Sequence, residues 1–304
     1  MSLTDLQQQH PGGVAPRSLR TVRDELRLCW LFTRDDLTAT VVPATIFGIA
    51  ASVHTSHGFS QLTGVVVKCL IYFWLYIYTF NLSNQLTGID EDRLNKPHRP
   101  LVRGEITAQG TRVRLVVATV VFFGVGVLLG VASWTAVWLA AWVFHDHRGG
   151  AARWWGKNAA MVAGTVAQLA AAWQITAPLD HQAWLWILVI AAPLGVLVSV
   201  QDLRDVAGDV AVGRRTAVVV FGDRRLRAVL TALFAIYPFV LYPLLYHRAP
   251  LIAASLGSAA AALLWVIAIR VAACRNPKSD NITYTLYTCW YCLTLLSAVF
   301  ALAH

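Results

Sequence analysis

The chain has 304 residues, 57% of them hydrophobic and only 13% charged, and its formal net charge is +9. Mean hydropathy is +0.56, and a water-soluble domain of this length needs far more charged surface, so that class is excluded. A nucleic-acid role would need a basic face on a soluble domain, and no nucleic-acid partner is expected.

The first two dozen residues, MSLTDLQQQHPGGVAPRSLRTVRD, are polar and predict no signal segment. Residues 1–34 read as a cytoplasmic N-terminal segment and 35–304 as a single transmembrane domain. Apolar runs near 20 residues then recur, the length an α-helix needs to cross a hydrocarbon core. They lie near 37–54, 62–84, 113–132, 135–145, 158–177, 183–201, 226–246, 251–273 and 282–303. The expected fold class is therefore an all-α polytopic membrane protein of about nine transmembrane helices in a bilayer. Pro43, Pro193, Pro238 and Pro243 fall within these runs and predict bends. With the N-terminus inside, 23 of the 25 Lys and Arg residues lie on the inner side, leaving Arg248 outside and Lys68 within a span. The positive-inside rule then turns the N-terminus toward the cytoplasm.

Span two ends in FNLSNQLTGIDEDRLNKPHRP (80–100) and span six in VSVQDLRDVAGDVAVGRRTAVVVFG (198–222). Acids gather there: Asp90, Glu91 and Asp92 in the first stretch, Asp202, Asp205 and Asp209 in the second. On a helix the second trio shares one face. Like charges that close require a cation or protons between them, and hard oxygen ligands favour Mg²⁺, which also binds through phosphate. If the helix of span two runs on, Asn81, Asn84 and Gly88 stack on one face, with Asp92 displaced from it. The cations Arg93, Lys96, Arg99 and Arg103 follow. Carboxylates beside cations suit a metal-bound polyanion such as a diphosphate; ordinary solvated salt bridges are the alternative.

Counting back from Asn84 along one helical face gives Phe80, Tyr76 and Phe73, and the last span carries Tyr284, Tyr287 and Tyr291. These stripes either pack helices or line a cavity. His145-Asp146-His147 reads as a polar loop, since adjacent residues on a helix point apart. His54 and His57 lie on the side opposite the motifs and are given no role. Cys289-Trp-Tyr-Cys292 has metal or redox spacing but lies inside a span without a second Cys/His pair, and reads as structural.

The pair NQLTGIDEDRLNKPHRP and QDLRDVAGDVAVGRRT closely resembles the two aspartate-rich motifs of the UbiA superfamily of intramembrane prenyltransferases. The likeness extends to Lys157-Asn158 at the start of span five. The resemblance implies a helical bundle with a cytoplasm-facing cap over a lipid-accessible cavity, and Mg²⁺-dependent ionisation of an isoprenoid diphosphate. The second motif is intact: Asp202, Asp205 and Asp209, then Gly213 and Thr216. The first keeps Asn84, Asp92 and the following NKPHRP, but Gln85 and Gly88 stand where the family has acids. In this altered form it resembles a branch containing UbiA-type terpene cyclases, in which the ionised chain cyclises on itself.

Carried onto this chain, the resemblance implies metal ligands at Asn84, Gln85, Asp90, Asp92, Asp202 and Asp205. It implies a catalytic set of Asn84, Asp92, Asp202, Asp205 and Asp209. Lys96, Arg99, Arg103, Lys157, Arg214 and Arg215 are the expected diphosphate-binding residues. Phe73, Tyr76, Phe80, Tyr284, Tyr287 and Tyr291 are expected around the allylic cation, which needs a dry cavity and aromatic faces. The alternative is a prenyltransferase joining the same cation to an aromatic or other lipophilic acceptor. Such an enzyme often needs a proton acceptor beside its second substrate, and no intramembrane acid or histidine stands clearly placed for it. A transporter is disfavoured because the spans carry almost no charge.

Overall fold

The computed structural model describes residues 21–55 and 59–303. Most of the N-terminal segment, with Arg17 and Arg20, and also His57 lie outside the described residues. The chain forms α1 (Val22–Thr33), α2 (Val41–His54), α3 (Phe59–Thr87), α4 (Ile89–Asn95), α5 (Ala108–Leu128), α6 (Ala132–His147) and α7 (Trp154–Gln174). It continues with α8 (His181–Ala191), α9 (Leu194–Leu197), α10 (Asp202–Ala211), α11 (Ala217–Phe221), α12 (Asp223–Leu245), α13 (Leu251–Ala273) and α14 (Pro277–Ala301). Among the described residues β structure is limited to one isolated backbone bridge, Arg153 to Arg215.

Local chemistry sets the breaks. α1 opens on a capping box, in which Thr21 Oγ1 accepts from the Asp24 amide at 3.2 Å and the Thr21 amide donates to Asp24 Oδ2 at 3.0 Å. The chain then bends by 76° into α2. Pro43 sits in the first turn of α2, where its missing N–H costs no ladder bond. The carbonyls of Thr40 and Ala39 at the bend accept from Gln168 Nε2 of α7, at 2.8 and 3.3 Å. Span six is interrupted twice: at Pro193, and again through a 3₁₀ turn at Val198–Gln201, before α10 starts at Asp202.

α3, at 29 residues, is roughly 43 Å long at the standard rise per residue. That exceeds a hydrocarbon core of about 30 Å and carries Asn84 beyond the apolar run. α3 packs with α5 and α6, and α6 with α7; α12, α13 and α14 form a second group; α2 contacts α3, α7 and α14 and joins the two. α6 and α7 approach closely because Gly164 has no side chain. A Cβ there would lie 2.4 Å from the Trp138 ring, and the bare Gly164 carbonyl accepts from Tyr76 Oη at 2.7 Å.

Each of the nine expected spans falls largely within helix, but among the described residues six helical stretches are long and apolar enough to cross a membrane, or seven if the bent pair counts as one. α2 and α6 have only 14 and 16 residues. α7 is long enough but too polar, carrying Lys157, Asn158, Gln168 and Gln174.

Arg227 bolts the second group together. Its guanidinium donates to Asp223 Oδ1 (2.7 Å), to both oxygens of Asp280 (2.9 and 2.8 Å) and to the carbonyls of Val271 (3.1 Å) and Cys274 (2.9 Å). Asp280 is 1% exposed, so removing its cation strands a buried charge. Arg227→Ala is expected to cost about 3–5 kcal/mol, read as an earlier thermal unfolding transition in detergent. The double change Arg227→Met with Asp280→Leu should recover most of that loss.

Candidate active site

The two motifs are clasped together by Asn95. Asn95, the asparagine of NKPHRP, donates from Nδ2 to the Asp205 carbonyl at 3.0 Å and accepts at Oδ1 from the Gly208 amide at 3.2 Å. It can lie against α10 only because residue 208 is glycine, where a Cβ would stand 2.3 Å from Asn95 Nδ2. A second tie runs from Glu91 to the Arg214 guanidinium, again across the motifs.

Beneath this junction lies a cavity of about 860 Å³. Its polar mouth presents Asn84, Glu91, Lys96, Arg99, Lys157, Arg204, Asp205 and Arg214. Its walls are largely aromatic, with Tyr76, Phe80, Trp138, Tyr284, Tyr287, Trp290 and Tyr291. Tyr76 and Trp138 stack at 4.3 Å with 3° between planes, Phe80 follows at 5.2 Å from Trp138, and Tyr287 stacks on Trp290 at 5.4 Å. Such an arrangement offers π faces to a cation and hydrogen-bond donors to an anion within one space.

The second motif supplies buried carboxylates with spare oxygens. Asp202 is fully buried; its Oδ1 pairs with Lys157 Nζ, and its Oδ2 has no hydrogen-bond partner. Neither carboxylate oxygen of buried Asp209 has one, though Arg214 Nη1 stands 3.7 Å away. Asp205 lines the mouth, with Arg204 Nε at 3.5 Å. Among the described residues no three His, Cys, Asp or Glu side chains gather closely enough to hold a metal by themselves. Unpartnered hard oxygens on Asp202 and Asp209, beside Asp205, do fit a Mg²⁺ ion that takes the rest of its shell from water and phosphate.

The first motif is arranged differently from expectation. α3 stops at Thr87 and α4 starts afresh at Ile89, so the assumed continuous face does not exist. Asp92 receives Arg99 Nη1 on both oxygens, at 2.8 and 2.7 Å, and does not line the cavity. Desolvation nevertheless holds its carboxyl above the usual range against the pull of Arg99. Desolvation, with Arg99 alongside, lowers Lys96 from its ordinary value. Asn84 has both polar atoms engaged: Oδ1 accepts from Arg99 at 3.2 Å, and Nδ2 donates to Asp146 Oδ1 at 3.2 Å.

Seven other expected residues stay outside the cavity lining, among them Asp202 and Asp209, which are fully buried on α10 beside the lining residue Asp205. Asp90 is on the surface with Arg93, at 2.6 Å, because the fresh start of α4 turns Glu91 inward in its place. Arg103 is exposed and pairs with Glu105 at 3.2 Å. Arg215 is exposed, and its backbone pairs with the segment entering α7. Gln85 is buried away from the cavity with Oε1 unpartnered, and Phe73 packs behind the wall against Tyr72 and Tyr76.

Several lining residues escaped sequence reasoning. Arg204 stands between the acids of QDLRD; its guanidinium lies 4.3 Å from the Tyr284 ring and donates to Asn281 at 2.6 Å. Trp138 and Gln168 carry no local signal. His145 lines the cavity instead of forming a polar loop, and the Asp146 side chain beside it is fully buried.

A membrane helix bundle whose cavity joins a cationic, carboxylate-bearing mouth to aromatic walls is built for an amphiphile with a polyanionic head and an apolar tail. Residues 41–293 match the model of the UbiA prenyltransferase family. The chain belongs to that family. It is 41% identical over 287 residues to somaliensene A/B synthase of Streptomyces somaliensis, covering 93% of this chain and 95% of that protein. It is 35% identical over 285 residues to diterpene cyclase eriG of Hericium erinaceus, covering 89% and 87% respectively. Its fold matches a UbiA homolog from Archaeoglobus fulgidus bound to GPP and Mg²⁺, with a TM-score of 0.58 at 15% identity, over 89% of this chain and 99% of that one.

The Asn95 tie is testable. Asn95→Ala should separate the motifs slightly and slow diphosphate release roughly 100-fold, the cost typical of misplacing a site by about 1 Å. The far-ultraviolet circular dichroism spectrum should not change.

Proposed function

We propose that this enzyme ionises a single isoprenoid diphosphate with Mg²⁺ and lets the resulting cation cyclise on itself inside the membrane. The observation that carries the reading is the continuity of one cavity from the cationic mouth to the aromatic walls. The two relatives above, a synthase and a diterpene cyclase by name, support it.

Asp202 and Asp205, with Asp209 behind them, would hold the metal; when bound, the ion neutralises charge on the departing diphosphate. Lys96, Lys157, Arg204 and Arg214 bind the phosphate oxygens from the rim of the cavity. Lys157 also offsets the charge of Asp202, which keeps a buried carboxylate available without a like-charge penalty. Tyr76, Trp138, Phe80 and Tyr287 present ring faces to the allylic cation, and their packing excludes the water that would quench it. The cation asymmetry supports a reading in which the polar end, with α4, α10 and α11 as a cap, faces the cytoplasm.

The family's own name favours a second reading, transfer of the prenyl group to a lipophilic acceptor. The two readings part in one incubation. Membranes supplied with Mg²⁺ and prenyl diphosphates of increasing length, and no acceptor, should yield a cyclic hydrocarbon by gas chromatography–mass spectrometry. Substrate consumed only after an aromatic acceptor is added would establish the transferase. In the same assay Asp205→Ala should lower diphosphate release by roughly 100-fold or more, and chelation of Mg²⁺ should abolish it.

A further inference from the structure

The pair His145 and Asp146 has no part in the scheme above. We propose that His145, oriented by Asp146, is the base that removes the terminating proton from the cyclised cation. The inference rests on the cyclase reading.

A chain of hydrogen bonds fixes which nitrogen of the imidazole donates. Arg99 can only donate, so the atom of Asn84 that it contacts at 3.2 Å is the carbonyl oxygen Oδ1. The other end of Asn84 is therefore its amide, and Asp146 Oδ1 accepts from it at 3.2 Å. The same Oδ1 lies 2.7 Å from His145 Nδ1. An accepting carboxylate makes Nδ1 the donor, so the neutral form of the ring carries its lone pair on Nε2. Nε2 has no hydrogen-bond partner among the described residues, and His145 lines the cavity. The first motif, from Asp92 through Arg99 and Asn84, thus ends on an imidazole oriented through Nδ1, with no partner on Nε2 among the described residues.

Position supports the role. The His145 ring lies 5.7 Å from Phe80, the last ring of the Tyr76–Trp138–Phe80 wall. A base at that point is beside the surface that stabilises the cation, yet close to the polar mouth. His145 is 5% exposed, so bulk water does not compete for its lone pair. The step balances: a C–H bond next to the cationic carbon breaks, its electron pair becomes the C=C bond, and the proton passes to Nε2. Asp146 offsets the charge of the imidazolium that forms.

His145→Asn is the primary test, because its amide can still donate to Asp146 while the Nε2 base is gone. Asp146→Asn, which keeps the shape and alters the tautomer, is the second. Purified wild type and both variants would receive Mg²⁺ and a prenyl diphosphate, with released diphosphate and organic products measured together. Diphosphate release in His145→Asn should stay within about threefold of wild type, since deprotonation follows ionisation. Cyclic olefin per diphosphate released should fall roughly tenfold or more, the low end for losing a general base being larger still, with alcohols or less cyclised olefins taking its place. Asp146→Asn should move the same way by a smaller factor. The same olefin in the same yield from both variants would overturn the assignment and leave the departing diphosphate as the base. Loss of diphosphate release in both would also overturn it, by placing the pair before ionisation, as would an alcohol as the wild-type product. A wild type that is inert without an acceptor would defeat the cyclase reading itself, which is a different outcome.

Discussion

Asn95 is the contact on which the site depends. It joins two stretches more than a hundred residues apart in the chain by grasping one carbonyl and one amide of α10. Those are the backbone groups of Asp205 and Gly208, so the clasp fixes the helix that presents the carboxylates. Its absence would leave α4 the Glu91–Arg214 ion pair, which reaches the loop after α10 and is directionally looser. The requirement also explains the glycine within the second motif, since any side chain at 208 would fill the notch.

Around that clasp the charges interleave. Lys157 stands against Asp202, Arg204 against Asp205, Arg214 against Glu91, and Arg99 against Asp92. Burying this many like carboxylates would be prohibitive without their cations. The pairing leaves several oxygens free on Asp202 and Asp209 and several cations at the rim. One arrangement thus serves both stability and recognition of a metal-bound diphosphate. In the first motif a chain of hydrogen bonds runs from Arg99 through Asn84 to Asp146 and His145.

Much of this was legible in the sequence. The helical class followed from the length of apolar runs. Asp202, Asp205 and Lys96 stood out by charge concentrated at the ends of spans and Lys157 by the family resemblance, and the structure brings these side chains together around the junction. Tyr76, Phe80 and the tyrosines of α14 were readable as stripes because helical period alone puts them on one face. What could not be read depends on where helices start and how they lean. The restart at Ile89 exchanges Asp90 for Glu91 and no periodicity signals it. Trp138 reaches the wall only because Gly164 lets α6 and α7 close. His145 and Asp146 were set aside because neighbours on a helix diverge; near the end of α6 the two side chains nevertheless reach each other, and their burial comes from neighbouring helices. Three spans expected from hydropathy fall short as isolated helices because bends and polar packing positions, such as Gln168, belong to the tertiary structure.

The central claim is that the diphosphate head sits at the motif junction while the tail lies along the aromatic wall. A structure of the protein with Mg²⁺ and a non-ionising thiolo-diphosphate analogue of the substrate tests this most directly. The account predicts phosphate density among Lys96, Lys157, Arg204 and Arg214, with the first isoprene unit against Tyr76, Trp138 and Phe80. A head group bound elsewhere, or a tail leading out between helices away from those rings, would contradict it.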